Sequence, residues 1–114
     1  MKVKFEKIEG AISAVTSEIK YNLLSLFLED YKENVIMDPI IEDLESLMSG
    51  EKVFDDIQDS SAYWSYGNGQ GYFEVEGDTA YFEPFEERTS APRIVMPLKE
   101  VIDLLKEWRV FLNS

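Results

Sequence analysis

Three aromatic-rich runs, Ala62 to Tyr66, Gly71 to Glu76 and Thr79 to Pro84, follow one another with only short turn sequences between them. The first connection holds Gly67-Asn68-Gly69-Gln70 and the second Gly77-Asp78. Asn-Gly is the preferred pair for a two-residue type I′ turn because both central residues need positive φ, and a leading glycine suits type II′. Together the turns predict a three-stranded antiparallel meander and fix its register by counting outward. Trp64 then faces Phe73, Val75 faces Ala80, and Phe73 faces Phe82. Strand side chains alternate between faces, so these form one inward face. The same alternation forces Tyr63, Ser65, Tyr72, Glu74, Glu76, Thr79, Tyr81 and Glu83 onto the other face, which is aromatic and acidic together.

The rest of the chain reads as helices with one or two further strands. Lys2-Val3-Lys4-Phe5-Glu6-Lys7-Ile8 alternates polar and apolar residues and predicts a short strand ended by Gly10, with Val3, Phe5 and Ile8 inward. From about Ile12, the positions Val15, Ile19, Leu23, Leu26 and Phe27 recur three or four apart and predict one helix reaching about Tyr31. Asp38-Pro39 reads as a cap followed by a first helical residue. The second helix accordingly runs from there to Gly50, with Ile40, Ile41, Leu44, Leu47 and Met48 buried and Glu42, Asp43 and Glu45 outward. Between Gly50 and Ser61 the sequence reads as a loop or short helix. Arg93-Ile94-Val95-Met96 is a candidate fourth strand. Pro97 opens a last helix whose Leu98, Val101, Ile102, Leu105, Trp108 and Leu112 repeat at helical spacing. Helices and strands are segregated rather than alternating. The predicted class is α+β: a three- to four-stranded antiparallel meander packed against two N-terminal helices and a C-terminal helix, in one domain spanning residues 1–114.

Composition narrows the function. With no cysteine, the chain forms no disulfide, thiolate metal site or cysteine nucleophile, and with no histidine it lacks the commonest general base and metal ligand. The start, Met1-Lys2-Val3-Lys4-Phe5-Glu6, lacks the apolar stretch of a secretory signal, and no run has the length of a membrane span. The expectation is a cytoplasmic protein that needs no cofactor or metal. The net charge of −12 repels phosphate backbones and anionic lipid heads and attracts cationic surfaces, so neither nucleic acid nor membrane is an expected direct ligand. Acidity also serves solubility alone, and charge by itself does not choose between the two uses.

Catalysis and metal binding fare poorly. Glu74, Glu76 and Glu83 sit close on adjacent strands, yet a domain with three or four strands offers little room for a substrate cleft. Asp55, Asp56 and Asp59 supply oxygen ligands without the alternating pattern that wraps calcium. Gly67, Gly69 and Gly71 precede a strand rather than a helix, so hairpin geometry accounts for them better than phosphate binding.

The outward tyrosine and glutamate face has the best claim to function. Tyrosine offers a large rigid contact, and carboxylates accept charge-assisted hydrogen bonds from arginine and lysine. A competing arrangement lays the first helix or the N-terminal strand over this face. Glu74 and Glu83 would then be buried without partners, which favours an open face.

The hairpin Tyr72-Phe73-Glu74-Val75-Glu76-Gly77-Asp78-Thr79-Ala80-Tyr81-Phe82 and the closing segment Met96-Pro97-Leu98-Lys99-Glu100-Val101-Ile102-Asp103-Leu104-Leu105-Lys106-Glu107-Trp108 resemble those of bacterial immunity proteins. These are cytoplasmic partners of polymorphic and contact-dependent growth inhibition toxins. The resemblance covers the C-terminal half and implies a non-enzymatic inhibitor that binds a cognate toxin domain, often a basic nuclease. The residues themselves designate Tyr63, Tyr72, Glu74, Glu76, Tyr81 and Glu83, with the Asp55, Asp56 and Asp59 segment, as the partner-binding set. The alternative expectation is a regulatory or adaptor domain that recognises a cytoplasmic protein through an exposed sheet edge.

Overall fold

The computed structural model describes residues 2–53, 65–66 and 70–114. Strands β1 (Lys4–Ile8) and β2 (Ala11–Val15) form an antiparallel hairpin, and helices α1 (Asn22–Glu29) and α2 (Asn34–Ser49) follow. A second antiparallel sheet has the order β3-β4-β5-β6, from β3 (Ser65–Tyr66), β4 (Gly71–Glu76), β5 (Thr79–Pro84) and β6 (Ile94–Pro97). Helix α3 (Leu98–Leu112) closes the chain, and the class is α+β.

The turn chemistry read from the sequence gives the observed register of the larger sheet. Phe73 pairs with Phe82 and Val75 with Ala80. Gly77 takes φ 62° at the head of the β4–β5 turn, a conformation open to glycine at little cost. Ser65 pairs with Tyr72, the register that counting outward from Asn68-Gly69 requires. Trp64, Asn68 and Gly69 themselves lie outside the described residues. The candidate fourth strand is present as β6, pairing Phe82 with Ile94 and Ala80 with Met96.

The core forms where these strands meet the helices. Phe73 and Phe82 sit opposite each other with ring centroids 5.1 Å apart, and Phe27 of α1 closes on both at 5.0 and 5.1 Å. All three are fully buried, and aromatic rings at this separation add attraction beyond area burial. Helix α3 follows β6 directly; its Leu98 N–H donates to the Asp78 carbonyl at 2.7 Å, tying the helix start to the β4–β5 turn. Leu98, Val101, Ile102, Leu105 and Trp108 form its buried stripe, as the periodicity predicts, with Leu112 half-buried at its end. Helix α2 packs on α3, and the ion pairs Arg109 to Asp38 (3.0 Å) and Lys106 to Glu45 (3.1 Å) cross between them.

The N-terminal third departs from the sequence reading. Residues 11 to 15 are a strand, not the first turns of a long helix, because Glu9 (φ 51°) and Gly10 (φ 86°) both enter the left-handed region and fold the chain back on β1. The hydroxyl of Thr16 then bonds the Glu18 backbone at 3.2 Å, and a 3₁₀ turn over Ile19–Tyr21 leads into α1. Ile19 and Ile8, both expected inside, are 61% and 63% exposed. Leu24 and Leu28 join Leu23 and Phe27 in the buried stripe of α1.

Helix α2 also begins earlier than Asp38-Pro39 suggests. Its first residue is Asn34, and Pro39 lies inside it. The missing proline N–H forgoes one helical bond, while the earlier start places Met37 fully inside the core. Asp38 is therefore no cap, and its carboxylate faces Arg109 instead. Gly50 ends the helix at φ 83°, as expected, but Met48 is 40% exposed rather than buried.

Candidate functional site

Alternation along β4 and β5 sends Phe73, Val75, Ala80 and Phe82 into the core and Tyr72, Glu74, Glu76, Thr79, Tyr81 and Glu83 outward. Helix α1 lies on the inward side through Phe27, and none of these six outward residues is buried. Cross-strand pairing sets Tyr72 opposite Glu83, Glu74 opposite Tyr81 and Glu76 opposite Thr79. Each tyrosine therefore has one glutamate across the ladder and another two residues along its own strand. The result is a checkerboard of rings and carboxylates.

Two residues missed in the sequence reading complete this face. Val95 of β6 stands opposite Tyr81 and is 52% exposed. Arg93, just before β6, donates from Nε to the Glu83 carboxylate, and its guanidinium lies 4.9 Å from the centre of the Tyr81 ring. Glu83 is thus an ion-paired carboxylate rather than a free one. The candidate fourth strand held the signal for both: with Ile94 and Met96 inward, alternation places Arg93 and Val95 on the tyrosine face. Glu74 and Glu76 have no ion-pair partner among the described residues.

The face continues past β5. Phe85 donates its N–H to the Gln70 carbonyl at 2.9 Å, which brings its ring to 5.0 Å from that of Tyr72. A shallow recess forms here between Tyr72, Phe85 and Arg93, rimmed by the exposed Glu86 and Glu87. Of the residues designated from sequence, Tyr72, Glu74, Glu76, Tyr81 and Glu83 come together on one surface. Tyr63, Asp55, Asp56 and Asp59 lie outside the described residues.

Partial burial, and then the Glu83 and Glu74 carboxylates, raise the Tyr72 phenol above its ordinary value near 10.0, while Arg93 acts weakly the other way. The sign of the consequence follows from proton counting. As pH rises through 10.0, the unfolded chain loses this proton while the folded chain keeps it, so stability falls with pH until the folded phenol also ionises. Tyr72→Phe should therefore show a shallower loss of stability than the parent protein between about pH 9 and about pH 11, followed by urea unfolding. Equal slopes would show that Tyr72 carries no such linkage.

Chemically, the arrangement suits recognition of cations. An aromatic face attracts a guanidinium or ammonium group and the adjacent carboxylate accepts its N–H bonds. The chain's own Arg93 on Tyr81 and Glu83 is an example of that binding mode. Among the described residues, no group of three or more carboxylates is placed to hold a metal ion, and no helix is long and apolar enough to cross a membrane. Searches against protein-family models, curated proteins and solved structures found no match to the chain.

Proposed function

We propose that the chain is an immunity protein: a non-catalytic inhibitor that binds a cationic toxin domain, a nuclease, through the tyrosine and glutamate face of β4 and β5. The observation that supports this reading is the checkerboard of Tyr72, Glu74, Tyr81 and Glu83, paired across the β4–β5 ladder on the side turned away from the core and half-buried rather than buried. A nuclease carries basic residues for phosphate, and an acidic surface bearing aromatic anchors competes for them. The net charge of −12 supports the kinetics such an inhibitor needs, because opposite fields raise encounter rates and a toxin must be caught before it acts. Asp55, Asp56 and Asp59, which lie outside the described residues, contribute to the chain's negative charge. The protein works in the cytoplasm, where the toxin would otherwise reach nucleic acid.

Co-expression with a toxin gene that neighbours this one in its genome tests the reading. Cells carrying both should survive induction that kills cells carrying the toxin alone; equal killing would end the proposal. The electrostatic component is tested by stopped-flow association at rising ionic strength. The on-rate should fall by about tenfold or more from low to high salt, and a flat response would remove charge steering from the account.

A further inference from the structure

The two-residue turn at Glu9-Gly10 fixes which backbone groups of the N-terminal hairpin are used inside it. In such a hairpin the pair flanking the turn, Ile8 and Ala11, exchanges both hydrogen bonds, and the pattern alternates from there. Ile8, Glu6 and Lys4 thus bond to β2, while Phe5 and Lys7 turn their N–H and C=O groups away from it. The same parity turns Ala14 outward on β2, and there α1 satisfies it. The Ala14 N–H donates to Glu29 Oε1 at 2.6 Å, and the Ala14 carbonyl accepts from Ser25 Oγ at 2.5 Å. No such partner reaches the backbone of Phe5 or Lys7 among the described residues. One edge of the hairpin is sealed at its middle by a helix, and the other has no such seal among the described residues.

We propose that β1 pairs antiparallel with β1 of a second copy of this chain, about a two-fold axis at Phe5, to give a continuous sheet β2-β1-β1-β2. The parity of the outward groups permits only registers in which odd residues meet odd residues. An axis at Lys4, Glu6 or Lys7 places that residue opposite its own copy and sets like charges against each other. An axis at Phe5 instead sets each Lys4 opposite the other chain's Glu6, in the pairs whose side chains approach most closely. Lys4 and Glu6 already pair along their own strand at 3.5 Å. The two-fold therefore completes a ring of four charges that alternate in sign, each with two opposite neighbours.

Apolar surface continues the same contact. Phe5 lines a recess of about 540 Å³ with Val110 and Phe111 of α3, and Val110 is 70% exposed. The axis brings the second Phe5 beside the first on the face where this recess opens. Lysines on an edge strand commonly prevent sheet pairing, but in this register Lys4 meets the carboxylate of Glu6 and Lys7 meets Val3, so no like charges stand opposite each other and the edge accepts its own copy. The contact is one short strand wide, which sets the dimer among weak, concentration-dependent ones.

Sedimentation equilibrium from about 5 to 500 µM tests this. The mass should rise with concentration from the 13.2 kDa monomer toward twice that value. Lys4→Glu and Glu6→Lys should each weaken dimerisation by about tenfold or more, and the double variant carrying both should restore it, because the ring still alternates. Lys7→Pro keeps the hairpin's own ladder, whose bonds do not use that N–H, and should abolish the dimer. A monomer at every concentration would overturn the proposal. So would a dimer indifferent to these changes, or a charge swap that fails to restore what the single reversals remove.

Discussion

Trp108→Ala should lower the stability of the protein by about 3–5 kcal/mol, the largest loss expected from any single truncation in the core. The indole is fully buried on α3, and its Nε1–H donates to the Leu28 carbonyl at 3.0 Å and the Tyr31 carbonyl at 2.9 Å. Those carbonyls belong to the C-terminal end of α1 and the residues just beyond, where a helix runs out of internal donors. The ring also lies 4.9 Å from Phe5 of β1 and stacks with Phe111 at 6.2 Å. One side chain thus joins the hairpin, the first helix and the last helix. Trp108→Phe separates the two contributions: it keeps most of the apolar packing and removes the donor, for an expected loss of about 1–3 kcal/mol. Val110→Ala, on the exposed side of the same helix, should change stability by less than about 0.5 kcal/mol. Urea unfolding followed by circular dichroism measures all three without relying on tryptophan fluorescence. A Trp108→Phe variant as stable as the parent would show that the indole N–H is dispensable.

The parts of this architecture legible in the sequence are those where local chemistry and tertiary packing agree. Gly77-Asp78 demands a turn, the flanking residues alternate, and the register that places Phe73 on Phe82 follows without knowledge of the rest of the chain. Gly50 ends α2 for a similarly local reason, since its φ of 83° is one that other residues resist. The hairpin at Glu9-Gly10 was hidden because glutamate, unlike asparagine or aspartate, seldom enters the left-handed region and so gives no turn signal. Ile12, Val15 and Ile19 then fall three and four apart and imitate a helix face, although β-branched residues are equally at home in a strand. At Pro39 the local rule was sound in itself, but burial of Met37 outweighed it and carried the helix start upstream.

The same division holds for the candidate site. Alternation on β4 and β5 was enough to assemble Tyr72, Glu74, Tyr81 and Glu83, because a paired ladder leaves side chains no choice of face. What single strands could not reveal is the pairing of Glu83 with Arg93, which depends on where β6 docks. That pairing redistributes the charge of the face. Glu83 is answered within the chain, and the carboxylates of the ladder without an ion pair among the described residues are Glu74 and Glu76. The acidic surface inferred from composition is thus sharpest around Glu74, which has Tyr81 across the ladder and Tyr72 two residues back along its own strand.

If the proposed cationic partner docks on this face, Glu74→Lys should weaken its binding by about 30- to 1,000-fold, the range expected when a charged contact at the centre of an interface is lost and a like charge takes its place. The fold should tolerate the change, since Glu74 lies on the outward face and has no ion pair to break among the described residues. Glu51→Lys supplies the control: it makes the same change in net charge at an exposed position just beyond α2. If attraction were only a matter of overall charge, the two variants would lose affinity equally and in the on-rate alone. If the face recognises a partner residue, Glu74→Lys acts mainly through faster dissociation and Glu51→Lys only slightly through association. Tyr81→Phe refines the assignment, because it keeps the ring that a guanidinium stacks on and should cost less than Tyr81→Ala. Surface plasmon resonance with the proposed toxin partner separates the two rate constants. Equal on-rate effects of Glu74→Lys and Glu51→Lys, with dissociation unchanged, would reduce the tyrosine and glutamate face to part of a diffuse field and remove it as the site of contact.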